Sequence, residues 1–201
     1  MKSGHRKALV TLGAVMALAV AVYGPSAAAT TVTAGNLVIN VDGGVSPKAL
    51  PKRKPAPITL RVRGSIRTSD GAHVPALHTL ALKFDKHGTI FTRGLPTCPV
   101  GRITNTLTVQ AKRACRKALV GTGKVTAEVQ FPDSQPVPAQ GTLLIFNGRP
   151  KGRKPVLIQH AYVSYPVAAT VITKAVITNL RGRYGKATRS ASRRWPAATA
   201  R

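Results

Sequence analysis

Ile58-Thr59-Leu60-Arg61-Val62-Arg63-Gly64-Ser65-Ile66-Arg67 places apolar side chains at Ile58, Leu60, Val62 and Ile66 between polar or charged ones at Thr59, Arg61, Arg63 and Arg67. Successive side chains of an extended strand point to opposite faces, so a period of two predicts a strand with one face in a core and the other in water. Leu80, Leu82 and Phe84 alternate in the same way with Ala81, Lys83 and Asp85, as do Val125, Ala127, Val129 and Phe131 with Thr126, Glu128 and Gln130. Shorter or more fully apolar runs follow at residues 37–41, 143–146, 156–163 and 170–178, punctuated by Asp70-Gly71, His87-Gly88, Asn147-Gly148 and several prolines. The expectation is a mainly β protein, an antiparallel β-sandwich or open barrel of about eight strands, rather than a βαβ fold.

Composition agrees with a folded chain and narrows its chemistry. Of the 201 residues, 43% are hydrophobic, enough to bury a core, and the length suits one ordinary domain with tails. Lys and Arg number 31 against 5 Asp and Glu, a net charge of +26. With Asp42, Asp70, Asp85, Glu128 and Asp133 as the whole carboxylate supply, calcium sites and paired-acid hydrolysis have almost nothing to draw on.

The N-terminus has the three-part pattern of a secretory signal peptide. Lys2, Arg6 and Lys7 form a positive segment, residues 8–22 are mostly apolar, and Gly24-Pro25-Ser26 leads into Ala27-Ala28-Ala29, a small-residue cleavage site after Ala29. An uncleaved membrane anchor is the alternative, but the apolar run is shorter than the roughly 20 residues that span a bilayer. The expected layout is a signal peptide at 1–29, one β-rich domain at 30–180 and a basic disordered tail at 181–201, with export to the extracellular side. That tail has seven basic residues and no acid, and only Tyr184 and Trp195 as large apolar groups.

Export makes a disulfide the default for the two cysteines, Cys98 and Cys115. A continuous helix between them would set their Cα atoms about 25 Å apart, whereas a disulfide needs less than about 7 Å. The chain must therefore double back. Thr104-Asn105-Thr106 is the expected break, between a short helical turn at 99–103 and a longer helix at 108–119 capped by Thr106 or Thr108. On that helix Lys112, Arg113, Arg116 and Lys117 mark an outer face, and Val109, Ala111, Ala114, Ala118 and Leu119 an apolar one. Residues 45–57, with four prolines, and 133–138 read as connections.

A catalytic or metal centre does not assemble from the motifs. His73, His78, His87 and His160 remain after cleavage, without a G-x-S-x-G elbow or a helical metal pair. Asp85 and His87 read as a strand end and turn, and His160 beside Tyr162 as a hydrogen-bonded histidine. Gly121-Thr122-Gly123-Lys124 is superficially like a phosphate loop but lacks its first glycine and the Ser/Thr after lysine, so it reads as a loop feeding the next strand. No cofactor and no enzymatic activity are expected.

Basic patches are the remaining candidates. Arg61, Arg63 and Arg67 lie on one strand face, Lys52-Arg53-Lys54 and Lys151-Gly152-Arg153-Lys154 in expected loops. They suit anionic cell-envelope polymers through a salt-dependent, largely non-specific attraction. The four Phe, four Tyr and one Trp form no base-stacking cluster, so nucleic acid is not the expected partner. Two function classes follow: a secreted non-enzymatic β domain with a binding or structural role at the cell envelope, and an electrostatic binder of extracellular polyanions. A hydrolase without a recognisable motif is third.

The stretch Gly94-Leu95-Pro96-Thr97-Cys98-Pro99, with Ala114-Cys115, Ala118-Leu119-Val120-Gly121-Thr122-Gly123, Phe131-Pro132-Asp133, Leu144-Ile145-Phe146-Asn147-Gly148 and His160-Ala161-Tyr162, resembles a group of uncharacterised secreted β-domain proteins of high-GC actinobacteria. The resemblance spans residues 36–185. It implies a β fold and an exported location, and it transfers no site. Members of that group continue beyond the Gly-Arg-Tyr-Gly position with further strands and cysteines, so the Lys186-Ala187-Thr188-Arg189-Ser190 ending reads as a truncated or frameshifted terminus. An unpaired edge on the strand at 170–178 would accompany such a terminus.

Overall fold

The computed structural model describes residues 30–75, 79–85, 88–131, 134–180 and 184–191. The segment at 1–29 expected to be a signal peptide, His78, His87, Asp133 and the end of the expected tail lie outside them. The fold is mainly β, with antiparallel sheets, one short helix and the Cys98–Cys115 disulfide flanking a helical stretch. It divides into two compact units, Met1–Val74 and Pro75–Arg201, where a single domain was expected over 30–180. The division follows from hydrogen bonding, because each unit holds a sheet of its own.

The first unit is a three-stranded antiparallel meander of β1 (Thr30–Ala34), β2 (Leu37–Ser46) and β3 (Thr59–Thr68). Register fixes its two faces. Val32 pairs with Ile39 and Ile39 with Ile66, while Val45 pairs with Leu60 and Gly43 with Val62, so these apolar side chains share one face. Arg61, Arg63 and Arg67 fall on the other, across from Gly44, Asp42 and Val38. The expected half-buried strand is corrected here: Leu60 and Val62 are 50% and 48% exposed, because among the described residues no second layer of this unit covers the apolar face. The connection expected at 45–57 begins later, since β2 continues through Ser46.

The second unit is a six-stranded antiparallel sheet curled into a half-barrel. Its strands are β4 (Thr79–Asp85), β5 (Leu119–Val129), β6 (Val137–Lys151), β7 (Lys154–Val163), β8 (Ala169–Asn179) and β9 (Tyr184–Ala191), in the order β4-β9-β8-β7-β6-β5. The tail expectation is corrected by β9, which pairs with both β4 and β8. Its small side chains hid it: Ala187 and Thr188 are buried yet contribute little apolar signal. The strand at 170–178 is accordingly an interior strand, with β7 on one side and β9 on the other.

Between Cys98 and Cys115 the chain doubles back as the spacing required. A 3-10 turn at Val100–Arg102 leads to Asn105, which takes a left-handed φ of 54°, a conformation asparagine tolerates better than most residues. Helix α1 (Thr108–Ala114) follows, then a second 3-10 turn at Arg116–Ala118. The helix is shorter than expected because the chain turns at Cys115 and enters β5 at Leu119. Neither threonine caps it. The first residue outside the helix is Leu107, whose N–H donates to Gln110 Oε1 at 3.0 Å, while Thr106 Oγ1 donates to Ile103 O. Of the expected apolar face, Ala111 and Ala118 are buried but Val109 is 69% exposed.

The core of this unit forms where the disulfide-bridged insertion lies over the sheet. Cys98, Ile103, Ala111, Cys115 and Ala118 pack with Leu144 and Phe146 of β6 and Val156 and Ile158 of β7. Asn147-Gly148 is interior to β6 rather than a turn. Asn147 Nδ2 donates to Pro96 O at 2.9 Å and its backbone carbonyl accepts the Cys98 N–H at 2.8 Å, so Asn147 fastens the disulfide segment to the strand. Gly148 is small for packing reasons: a Cβ there would meet Ile158 Cγ1 at 2.9 Å. The actual turn is Gly152-Arg153, with Lys151 paired to Lys154 and Gly152 at φ 61°. Gly121-Thr122-Gly123-Lys124 lies within β5, paired to β6, and is a strand rather than the expected loop.

Candidate functional site

Two basic surfaces stand out, one in each unit. In the first, alternation on β3 sets Arg61, Arg63 and Arg67 on one face of the sheet, all exposed. Asp42, opposite Arg63, is the one carboxylate placed on that face by the register. Lys52, Arg53 and Lys54 are exposed in the connection between β2 and β3. Asp70, just beyond β3, is held below the usual carboxylate range chiefly by the Ala72 N–H, which donates to its Oδ1 at 3.1 Å. That carboxylate shapes a turn and stays ionised, so it is a poor proton donor.

Lys151, Arg153 and Lys154 belong to the second unit, on the β6–β7 hairpin. Lys151 also borders a cleft of about 390 Å³. Cys98, Pro99, Val100, Pro150, Val156, Ile158 and Val176 line it, Val156 and Ile158 being core side chains that are only 5% and 2% exposed. Arg149, Lys151 and Lys174 line it as well, and no acidic residue does so among the described residues. Lys174 stands directly across the strand pair from Ile158, and Val176 from Val156. Sequence reasoning singled out Lys151 but missed Arg149 and Lys174. Lys174 had a signal, being the lone charge in the apolar run Val171-Ile172-Thr173-Lys174-Ala175-Val176-Ile177.

His160 is fully buried on β7. Its Nε2 lies 3.1 Å from Thr106 O and 3.2 Å from Thr106 Oγ1, whose own proton goes to Ile103 O. Nε2 therefore bears the hydrogen and donates, and Nδ1 is buried without a hydrogen-bond partner. Burial lowers its pKa, opposed by the Thr106 carbonyl. This histidine is part of the packing between sheet and insertion. His73 is an exposed residue following β3 in the first unit. Among the described residues no three His, Cys, Asp or Glu side chains gather as metal ligands, and both cysteines are in the disulfide.

The fold defines the class, an antiparallel β protein with a disulfide-bridged helical insertion. No family model, curated protein or solved structure matches the chain. Among the described residues no helix is long and apolar enough to cross a membrane.

Proposed function

We propose that this chain is an exported, non-catalytic binding protein of the cell envelope, and that its first unit engages anionic polymers through the arginine face of β3. The observation that supports the reading best is that Arg61, Arg63 and Arg67 stand exposed on one face of the meander with a single carboxylate opposite. At about 3.4 Å per residue Arg61 and Arg63 stand about 7 Å apart along the strand and Arg63 and Arg67 about 13 Å, separations over which a flexible polyanion can follow them. Lys52, Arg53 and Lys54 add charge within the same unit. Export is supported by the leader pattern, by the disulfide and by the resemblance to secreted actinobacterial β-domain proteins. The absence of catalysis is supported by the burial of His160 and its engagement with Thr106.

The deciding experiment is retention of the protein on immobilised heparin or teichoic acid as a function of salt. Retention that falls steeply with salt and is weakened by Arg61→Ala/Arg63→Ala/Arg67→Ala is the expected result. Salt-independent retention, or none, overturns the reading.

A further inference from the structure

We propose that two copies of this chain pair through the apolar face of the β1–β3 meander, closing a two-layered sandwich. Register puts Val32, Ile39, Val45, Leu60, Val62 and Ile66 on that face, and no charged residue of the three strands falls on it. Val32, Leu60 and Val62 are 49%, 50% and 48% exposed, so this aliphatic surface stands open to water rather than in a core. With strands about 4.8 Å apart and a rise of about 3.4 Å per residue, two ten-residue strands and one of five outline a face of about 400 Å². Monomeric proteins rarely expose contiguous apolar patches larger than a few hundred Å².

A second copy is the occupant that area, charge and shape favour. Two such faces together outline about 800 Å², and side-chain relief raises the accessible area toward the roughly 1,000 Å² at which specific interfaces begin. The expected dimer is therefore weak, with a Kd in the micromolar range. A chain of net charge +26 resists meeting its own copy across any surface that carries its cations, and this face carries none. An acidic partner has nothing there to pair with. Sheets of the same twist stack about 10 Å apart, and the pairing turns Arg61, Arg63 and Arg67 of each copy outward, so the two rows stand farther apart than the Debye length of about 8 Å at physiological salt. The pairing does not require a polymer; where the polymer-binding reading holds, a dimer bears two arginine faces pointing apart and bridges two polymer strands.

The test is sedimentation velocity over about 1–200 µM protein, applied to the full chain and to the form beginning at Thr30, which keeps every described residue. Reversible dimers of both forms are expected, tightening as salt rises from about 0.05 to about 0.5 M because the repulsion between like-charged copies is screened. Polymer binding responds to salt in the opposite direction, which keeps the two readings apart. Leu60→Lys and Val62→Lys change exposed side chains and should each raise the dimer Kd by tenfold or more while far-UV circular dichroism stays unchanged. Arg61→Ala/Arg63→Ala/Arg67→Ala, on the other face, should not weaken the dimer. Monomers at the highest concentration in both salts, association that vanishes with residues 1–29, or a dimer indifferent to both Leu60→Lys and Val62→Lys, as pairing along a strand edge would be, overturns the inference.

Discussion

His160 Nε2 and the carbonyl oxygen of Thr106 lie 3.1 Å apart across 54 residues of sequence, joining the sheet to the loop that reverses the chain inside the disulfide. Thr170 Oγ1 donates to the same oxygen at 3.0 Å, so β7 and β8 both hold that loop.

This buried imidazole should make stability depend on pH. Burial lowers its pKa in the folded state, against an unfolded value of about 6.5, so the unfolded chain binds a proton that the folded chain resists. Its contribution is fully present above about pH 7 and is lost as pH falls below about 6.5 toward the folded pKa, with a slope of at most about 1.4 kcal/mol per pH unit. With only 5 Asp and Glu in the chain, carboxylates contribute little competing slope in this window. Melting temperatures measured between pH 5.5 and 7.5 should fall toward the acid end. His160→Gln, which keeps a donor for Thr106 O, should flatten the profile, and an unchanged slope in that variant would refute the assignment.

Cys98 and Cys115 bridge a separation of 17 residues with their Cα atoms 5.4 Å apart, and both side chains lie in the core beneath the insertion. Closing a loop of this size removes about 3 kcal/mol of freedom from the unfolded chain in the loop-entropy model. Reduction, or the Cys98→Ala/Cys115→Ala pair, should lower the urea midpoint by the corresponding amount. The loss should be confined to the second unit, read through proteolysis at residues of the insertion while the β1–β3 meander stays protected.

Legibility in the sequence followed side-chain size. The strand at 58–67 was plain because Leu60, Val62 and Ile66 are large and alternate with arginines. Nothing in that pattern reveals whether a second layer exists, so the exposure of Leu60 and Val62 was invisible. β9 was missed because Ala187 and Thr188 hold their places by backbone pairing and small size. Asn147-Gly148 reads as a turn by composition, but tertiary contacts override that preference: Asn147 bonds to Pro96 and Cys98, and Gly148 makes room for Ile158. The reversal at Asn105 was legible from the cysteine spacing alone. Of the candidate surfaces, the arginine row was readable from periodicity, whereas the cleft needed Arg149 and Lys174 from strands that only the sheet order brings together.

Gly148 and Gly123 separate two roles of glycine in the same sheet. A Cβ at Gly148 would come within 2.9 Å of Ile158 Cγ1, 3.0 Å of its Cδ1 and 3.2 Å of Val156 O. At Gly123 the nearest atoms belong to Leu143, at 3.9 Å, an ordinary contact. Overpacking a buried site costs about 1–3 kcal/mol, so Gly148→Ala should destabilise by that amount in urea unfolding. Gly123→Ala, at a half-buried position where the added methyl makes only ordinary contact, should change stability by less than about 0.5 kcal/mol. Equal effects at the two positions would show that Ile158 moves aside freely.

The arginine face makes a quantitative claim about salt. When a polyanion binds, each cation it meets releases condensed counterions, and the logarithm of the binding constant falls with the logarithm of salt by about 0.7–0.9 per contact. Arg61, Arg63 and Arg67 share one face of β3, so a chain lying along the strand meets all three. Removing them together in Arg61→Ala/Arg63→Ala/Arg67→Ala should reduce that slope by about 2–3. Lys52→Ala/Arg53→Ala/Lys54→Ala, in the connection of the same unit, should reduce it further when combined with the triple variant. Lys151→Ala/Arg153→Ala/Lys154→Ala, in the other unit, should leave the heparin slope within about 1 of the parent. If all three triple variants lower the slope equally, binding follows total charge, and the strand face has no special part in it.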